Sequence, residues 1–479
     1  MNYKIIRYIL SLVMRIEGAC MLLPLACALI YGEEECISVW LVSALMCIGV
    51  SLILSVKSPQ DKSIYSKEGF VSVAFSWLML SIFGAFPFVF TNAVPSFTDA
   101  FFETVSGFTT TGASVISDLD SLPRSIIFWR SFTHWIGGMG VLVFLVALVP
   151  LSGGSNFFLL KAESPGPAVS KLVPKVKSTA KILYGIYITL TFIEFLLLLT
   201  GGMEIFDALT ITFGTAGTGG FSARNSGMAD YSSYCQIVIT VFMIIFGVDF
   251  SFYHMIILRK FKSALKSEEV RAYFVIILAS IAIICFNCRH LFATLFETVK
   301  HSAFQVASII TTTGYATADF DKWPELSKTI LILLMFFGAC AGSTGGGIKI
   351  SRIVILFKSI VKEVRIMAHP RSAVKINMNG RIVEHETVRS INVFMAAYLC
   401  IFALSLLLIS TNNLDFITNF SAVAATINNI GPGMAKVGPM CNFDVYSDFS
   451  KWVLSMDMLI GRLEIFPILM LFSPYTWKK

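Results

Sequence analysis

The chain is expected to fold as an all-α polytopic membrane protein, in which an N-terminal helical hairpin precedes four pseudo-repeats around a central pore. Each pseudo-repeat reads as a helix, a short re-entrant pore helix with a polar loop, and a second helix. Three observations lead there. Of the 479 residues, 56% are hydrophobic and 14% charged, with a mean hydropathy of +0.75, a balance foreign to a soluble domain of this size. Apolar segments of about 20 residues recur, the length that crosses roughly 30 Å of hydrocarbon as a helix. Between them, a short apolar run followed by a glycine-rich break appears four times.

The start, "MNYKIIRYILSLVMRIEGACMLLPLACALIY", carries Lys4, Arg7 and Arg15 and runs straight into a second span. It reads as a retained helix, not a cleaved signal peptide. Ten spans are expected, over 5–31, 36–56, 69–92, 126–150, 178–201, 233–258, 272–288, 328–358 with a glycine break inside it, 388–410 and 450–472. An even number puts both termini on one side. That side, with the loops at 57–67, 161–181, 258–271 and 349–389, holds most of the 37 Lys and Arg residues and is expected to be the cytoplasm. The other side is richer in acids, among them Asp99, Glu103, Asp118, Asp120, Asp319 and Asp321, and a negative mouth there gathers cations. The units are then a hairpin at 1–56 and repeats at 57–150, 151–262, 263–366 and 367–479. The ten cysteines are scattered and read as small apolar fillers. Cys285-x-x-Cys288 has metal-like spacing but lacks a second pair.

The short runs lie at 97–108, 204–215, 298–310 and 415–427, too short to cross and long enough to enter and return. The breaks after them are "TTTGASV", "GTGGFSA", "TTTGYAT" and "NNIGPGM", aligned on Gly112, Gly220, Gly314 and Gly431. Non-helical backbone survives at membrane depth only where it is buried in protein or lines a wet cavity. Four such segments imply one cavity with pseudo-fourfold symmetry. Glycine allows backbone carbonyls to turn inward, and Thr hydroxyls add further oxygens. A ring of neutral oxygens is what replaces the hydration shell of a potassium ion. The expected ligands are Thr110, Thr111 and Gly112; Thr218, Gly219 and Gly220; Thr312, Thr313 and Gly314; and Asn429, Ile430 and Gly431. The short helices aim their negative C-terminal ends at the ion if they descend from outside.

Rival readings fail on the same residues. A voltage-gated channel needs an Arg-rich sensor and a carboxylate ring in its filter. An intramembrane enzyme needs a nucleophile with a base or a metal cluster, and the six dispersed His residues supply no such pair. "GSTGGGIK" at 342–349 evokes a phosphate loop, but Ile348 stands before Lys349 and no strand precedes it. It interrupts a span instead, either as a kink or as a moving part. His134 in "HWIGGMG" is expected to be satisfied by packing, with Gly137, Gly138 and Gly140 allowing close helix contact. Glu194 and Asp249 are acids inside spans with no partner visible in the sequence. Arg462 reads as the one basic residue inside a span and away from its ends, about 15 Å beyond Trp452. It either pairs with an acid of another helix or faces the pore. A sodium- or proton-coupled symporter stays open as an alternative to a channel.

At these residues the chain resembles the Trk/Ktr/HKT superfamily of potassium transporters. The resemblance covers essentially the whole chain and rests on the four loops, "KAESPGP" at 161–167, "GACAGSTGGGIKISRI" at 338–353 and "GRLEIFPILMLFSP" at 461–474. The hairpin at 1–56 favours the TrkH branch over the shorter KtrB-like members. The resemblance implies potassium as the transported ion, a bacterial inner-membrane location and a homodimer with one pore per subunit. It also implies a cytoplasmic nucleotide-binding ring of TrkA type as regulator, with no organic cofactor and no nucleic acid. It makes Gly342, Ser343, Thr344, Gly345, Gly346, Gly347 and Lys349 a gating plug beneath the filter, and Arg462 a pore-facing barrier. Members with Ser at the first filter glycine tend to pass sodium, so Gly112 implies a preference for potassium and rubidium. The irregular second and fourth loops make that preference moderate.

Overall fold

The structure, a computed structural model, describes residues 1–56, 64–140, 176–372 and 374–478, with the side chains of 176–178 excluded. Among these, six helices are long and apolar enough to cross a membrane: Tyr3–Tyr31, Glu34–Ser55, Ser66–Phe90, Thr179–Thr200, Glu268–Cys288 and His385–Asn412. Their outward faces stay apolar, with Leu45, Leu278 and Leu407 each more than half exposed, as a lipid-facing surface requires. The chain is a helical, multi-pass membrane protein. Among the described residues its only strands are the short hairpin Asn377–Met378 with Arg381–Ile382.

The four short runs form the helices Phe97–Phe108, Ile205–Gly217, Leu295–Ile310 and Phe416–Ile427, of 12, 13, 16 and 12 residues. At 1.5 Å per residue they reach about 18–24 Å, short of the hydrocarbon thickness. Their starts are fixed locally. Ser96, Thr294 and Asp415 accept hydrogen bonds from the backbone N–H of Asp99, Glu297 and Thr418, and Asp99, Asp207 and Glu297 stand in first turns where the helix dipole favours an anion. Each C-terminus then runs directly into one of the polar breaks. The final turns are buried throughout, from Ala100 to Phe108 and from Ser421 to Ile427. These helices therefore sit inside the bundle, with the longer spans around them.

Two expected spans differ in form. The segment at 233–258 is two helices, Ser233–Phe246 and Phe250–Ile257, bent by 92°. The break lies where a loop from elsewhere takes its backbone: Cys340 N–H donates to Gly247 O (3.0 Å), and Phe250 N–H to Gly342 O (3.1 Å). Asp249 accepts from Ser251 N–H at 2.8 Å, capping the second half. The last span is also broken, into Asp448–Arg462 and Phe466–Phe472, with Glu464 and Ile465 at φ 55° and 71°. Arg462 thus ends a helix and does not sit mid-helix. The span at 328–358 has its glycine break between Glu325–Met335 and Ile350–Ala368. Only the part of 126–150 up to Gly140 is described, as the helix Arg124–Met139. The stretch 161–167 and most of the basic loop at 161–181 lie outside the described residues.

Candidate functional site

The four breaks share one backbone form. Thr110, Thr218, Thr312 and Asn429 have φ of 56°, 55°, 58° and 54°, and two residues later Gly112, Gly220, Gly314 and Gly431 have φ of 81°, 76°, 87° and 101°. Two left-handed residues separated by one turn the chain sharply at the end of each short helix. A Cβ on Gly112 would fall onto the carbonyl oxygen of Gly219, on Gly220 onto that of Thr313, on Gly314 onto that of Ile430, and on Gly431 within 2.7 Å of that of Thr111. Loop one bears on loop two, two on three, three on four, and four on one. The twelve residues expected as ligands are thereby brought into one closed ring. On one side it opens into a cavity of about 230 Å³ that the four glycines help to line, with Tyr315, Pro432 and Arg130.

The hydroxyls do not all serve that ring. Thr111 Oγ1 lies 2.7 Å from Thr109 Oγ1, and Thr313 Oγ1 lies 2.8 Å from Thr311 Oγ1. Thr111 Oγ1 also accepts from Asn429 Nδ2 at 3.0 Å, which links loop four to loop one. Thr218 donates to Gly217 O at 2.6 Å. These three hydroxyls thus each have a protein partner, whereas the sequence reading counts Thr hydroxyls as further oxygens beside the inward-turned carbonyls.

The helix Arg124–Met139 braces loops one and two. His134 Nδ1–H donates to Gly107 O (2.8 Å), and its Nε2 accepts from Phe221 N–H (3.3 Å). Acceptance at Nε2 fixes the neutral tautomer, so the ring joins two segments and is occupied at both nitrogens. Gly137 and Gly138 back against Phe108 O and the Gly217 Cα, as their expected packing role requires.

On the other side of the ring sits the glycine-rich loop. A Cβ on Gly345 would come within 3.0 Å of Thr311 O, and one on Gly346 within 2.7 Å of Asn428 O. Gly346 N–H donates to Thr312 Oγ1 at 2.7 Å. Ser343 donates to Cys340 O, Thr344 Oγ1 to Phe246 O at 3.3 Å, and Gly342 and Gly347 turn at φ 75° and 66°. Lys349, buried, donates to Gly345 O and to Gly346 O. Glu269 Oε1 accepts from Ala341 N–H (2.7 Å) and Ser351 N–H (3.1 Å), tying both ends of the loop to one helix.

Arg462 joins these parts. It donates to Thr110 Oγ1 (3.2 Å), Thr344 O (2.8 Å), Gly137 O (2.6 Å) and Gly138 O (3.0 Å). The neighbouring Glu464 turns away to Arg352, with Nη1–Oε1 at 3.0 Å and Nη2–Oε2 at 2.5 Å. Arg462 is not the sole basic residue deep in the fold: Arg130, Lys349, Arg352 and Lys451 are all buried. Nor are all the expected mouth acids open. Glu103 is buried against Arg130, and Asp99 pairs with Lys451 at 2.6 Å. Asp118 stays exposed at the rim, where hydrogen bonds from Asn225 and Ser121 hold its carboxyl below the usual range. Glu194 is fully buried. Sequence reasoning missed Arg130, Glu269 and Arg352; the signal available was a charge within or beside an apolar run, which demands a partner.

Residues 39–479 match the model of the TrkH family, described as a cation transport protein. The chain is 33% identical to the Trk system potassium uptake protein TrkH of Escherichia coli (strain K12), over 100% of both chains. It is 35% identical to the protein of the same name from Vibrio parahaemolyticus serotype O3:K6, again over 100% of both. With the Trk system potassium uptake protein TrkG of Escherichia coli (strain K12) it shares 33% identity over 100% of this chain and 99% of the relative. The crystal structure of the potassium transporter TrkH from Vibrio parahaemolyticus superposes with a TM-score of 0.90 at 32% identity, covering 100% of each chain.

Proposed function

The chain belongs to the TrkH family of cation transport proteins, and we propose that it takes up potassium across the bacterial cytoplasmic membrane through a channel-like pore. The observation that carries this reading is the closed ring in which Gly112, Gly220, Gly314 and Gly431 each abut a carbonyl of the next loop. Such a ring offers neutral oxygens to a partly dehydrated cation. In this reading the filter is formed by Thr110 to Gly112, Thr218 to Gly220, Thr312 to Gly314 and Asn429 to Gly431, with each unit of the chain from residue 57 onward supplying one corner. The protein is a transporter, and no residue is assigned a catalytic role.

The loop from Gly342 to Gly347, held by Lys349 and Arg462, then closes the path on the cytoplasmic side. Its close fit beneath Thr311 O and Asn428 O supports this. Both termini are cytoplasmic in the same reading, and the acidic rim around Asp118 faces outward. Two copies assemble, each with its own pore, and a TrkA-type nucleotide-binding ring acts on the basic surface that includes Lys358, Lys362 and Arg365.

Current through purified protein in planar bilayers, with potassium and sodium gradients set independently, tests the reading. Reversal at the potassium equilibrium potential is expected. A reversal that moves with the sodium or proton gradient at fixed potassium overturns the channel and favours coupled symport.

A further inference from the structure

Arg130 and Glu103 form an ion pair with side chains 1% and 0% exposed, Nη2 lying 2.6 Å from Oε1. Arg130 Nε also donates to Glu103 Oε1, at 2.7 Å. Together they grip both segments that leave the ring. Arg130 Nη1 donates to Ser222 O at 3.3 Å and Nη2 to Ser114 Oγ at 3.2 Å. Ser114 and Ser222 are each the second residue after a ring glycine, Gly112 and Gly220. Glu103 accepts from Ser114 Oγ (3.0 Å) and from Val115 N–H (3.1 Å), and the guanidinium lies 4.0 Å above the centre of the Phe221 ring.

We infer that Glu103 and Arg130 are a specificity-determining positioning pair: they set the spacing of the corner between loops one and two, and with it the discrimination of potassium from sodium. The inference rests on the pore reading above. A fork is needed because one side chain must reach two loops and a carboxylate at once, which a point charge cannot do. A paired charge is needed because an unopposed guanidinium beside the ring would repel the permeant cation and be costly to bury. The other three loops carry no equivalent acid at this spacing. Counting back nine residues from each ring glycine, as Glu103 lies from Gly112, gives Ile211, Gln305 and Ala422, none of them ionised.

The test is the potassium-to-sodium permeability ratio from bi-ionic reversal potentials, read on reconstituted parent and Arg130→Lys protein. Lysine keeps the charge opposite Glu103 and loses the reach to Ser222 O and Ser114 Oγ. The ratio is expected to fall about threefold or more, the scale of one lost hydrogen bond, with potassium current retained. A folded Arg130→Lys protein with the parent ratio overturns the inference. Should that variant fail to fold, Ser114→Ala removes only the hydroxyl that links the pair to loop one. A smaller fall is expected there, and an unchanged ratio overturns the inference equally. Selectivity of the parent tests the pore reading separately: a parent without potassium-selective reversal sinks that reading, whereas a variant matching a selective parent sinks only the role of the pair.

Discussion

Replacing Arg462 by lysine separates two ways in which this residue can limit flux. As a charge, it repels a passing cation by about 2 kcal/mol at roughly 8 Å and an effective dielectric of 20, or roughly thirtyfold in local occupancy. As a tether, its guanidinium holds Thr344 O at 2.8 Å while also bonding Gly137 O and Gly138 O. A hydrogen bond from a charged donor contributes about 1.5–3 kcal/mol, so releasing Thr344 shifts the loop toward its open form by about ten- to a hundredfold. Lysine retains the charge but cannot bridge the three segments that the fork joins. Arg462→Lys is therefore expected to raise partner-free rubidium uptake into proteoliposomes about tenfold, and Arg462→Ala to raise it further by removing the barrier as well. Uptake is normalised to protein that elutes as the folded species. A lysine variant equal to the parent beside a raised alanine variant refutes the tether. Both equal to or below the parent refute tether and barrier together.

Gly112→Ser places a side chain at φ 81°, a strain of about 1–2 kcal/mol, and drives its Cβ onto Gly219 O. The potassium-to-sodium permeability ratio should fall, as it should for Gly314→Ser; ratios equal to the parent in both would remove these glycines from the filter. Deleting residues 342–347 removes the contacts to Thr312 and Arg462 and is expected to raise partner-free flux and weaken dependence on the cytoplasmic regulator. Unchanged flux would reduce the segment to a fixed kink. Glu269→Ala releases two backbone N–H groups at the ends of that loop, each worth about 1.5–3 kcal/mol with a carboxylate acceptor; a severalfold rise in flux is expected, and parent-level flux in a folded variant argues against a latch.

The four ring glycines were legible because each stands at a φ that only glycine adopts freely, beside a neighbour that leaves no room for a Cβ. Their short helices were legible from length and hydropathy alone. The preceding left-handed residues were not, since Thr110, Thr218 and Thr312 adopt a conformation their own β-branching disfavours and that tertiary contacts enforce. The break after Phe246 is not legible in the sequence for a related reason. Its apolar pattern runs on, and the disruption comes from Cys340 and Gly342, far along the chain. Arg130 with Glu103 and Arg352 with Glu464 are separated by 27 and 112 residues, so no local periodicity joins them. Ile465 at φ 71° runs against the preference of a β-branched side chain outright.

The ring is a mutual abutment carried by a single polypeptide, like an arch whose stones differ in cut. Thr111, Gly219, Thr313 and Ile430 each present a carbonyl to the ring glycine of the preceding loop, yet the four are three kinds of residue. In an assembly of four identical copies, one codon change would recut every stone at once. Here it recuts a single stone, and the remaining three hold the opening while drift explores the fourth. On the proposed pore reading, ion preference can therefore be inherited in small, separate steps.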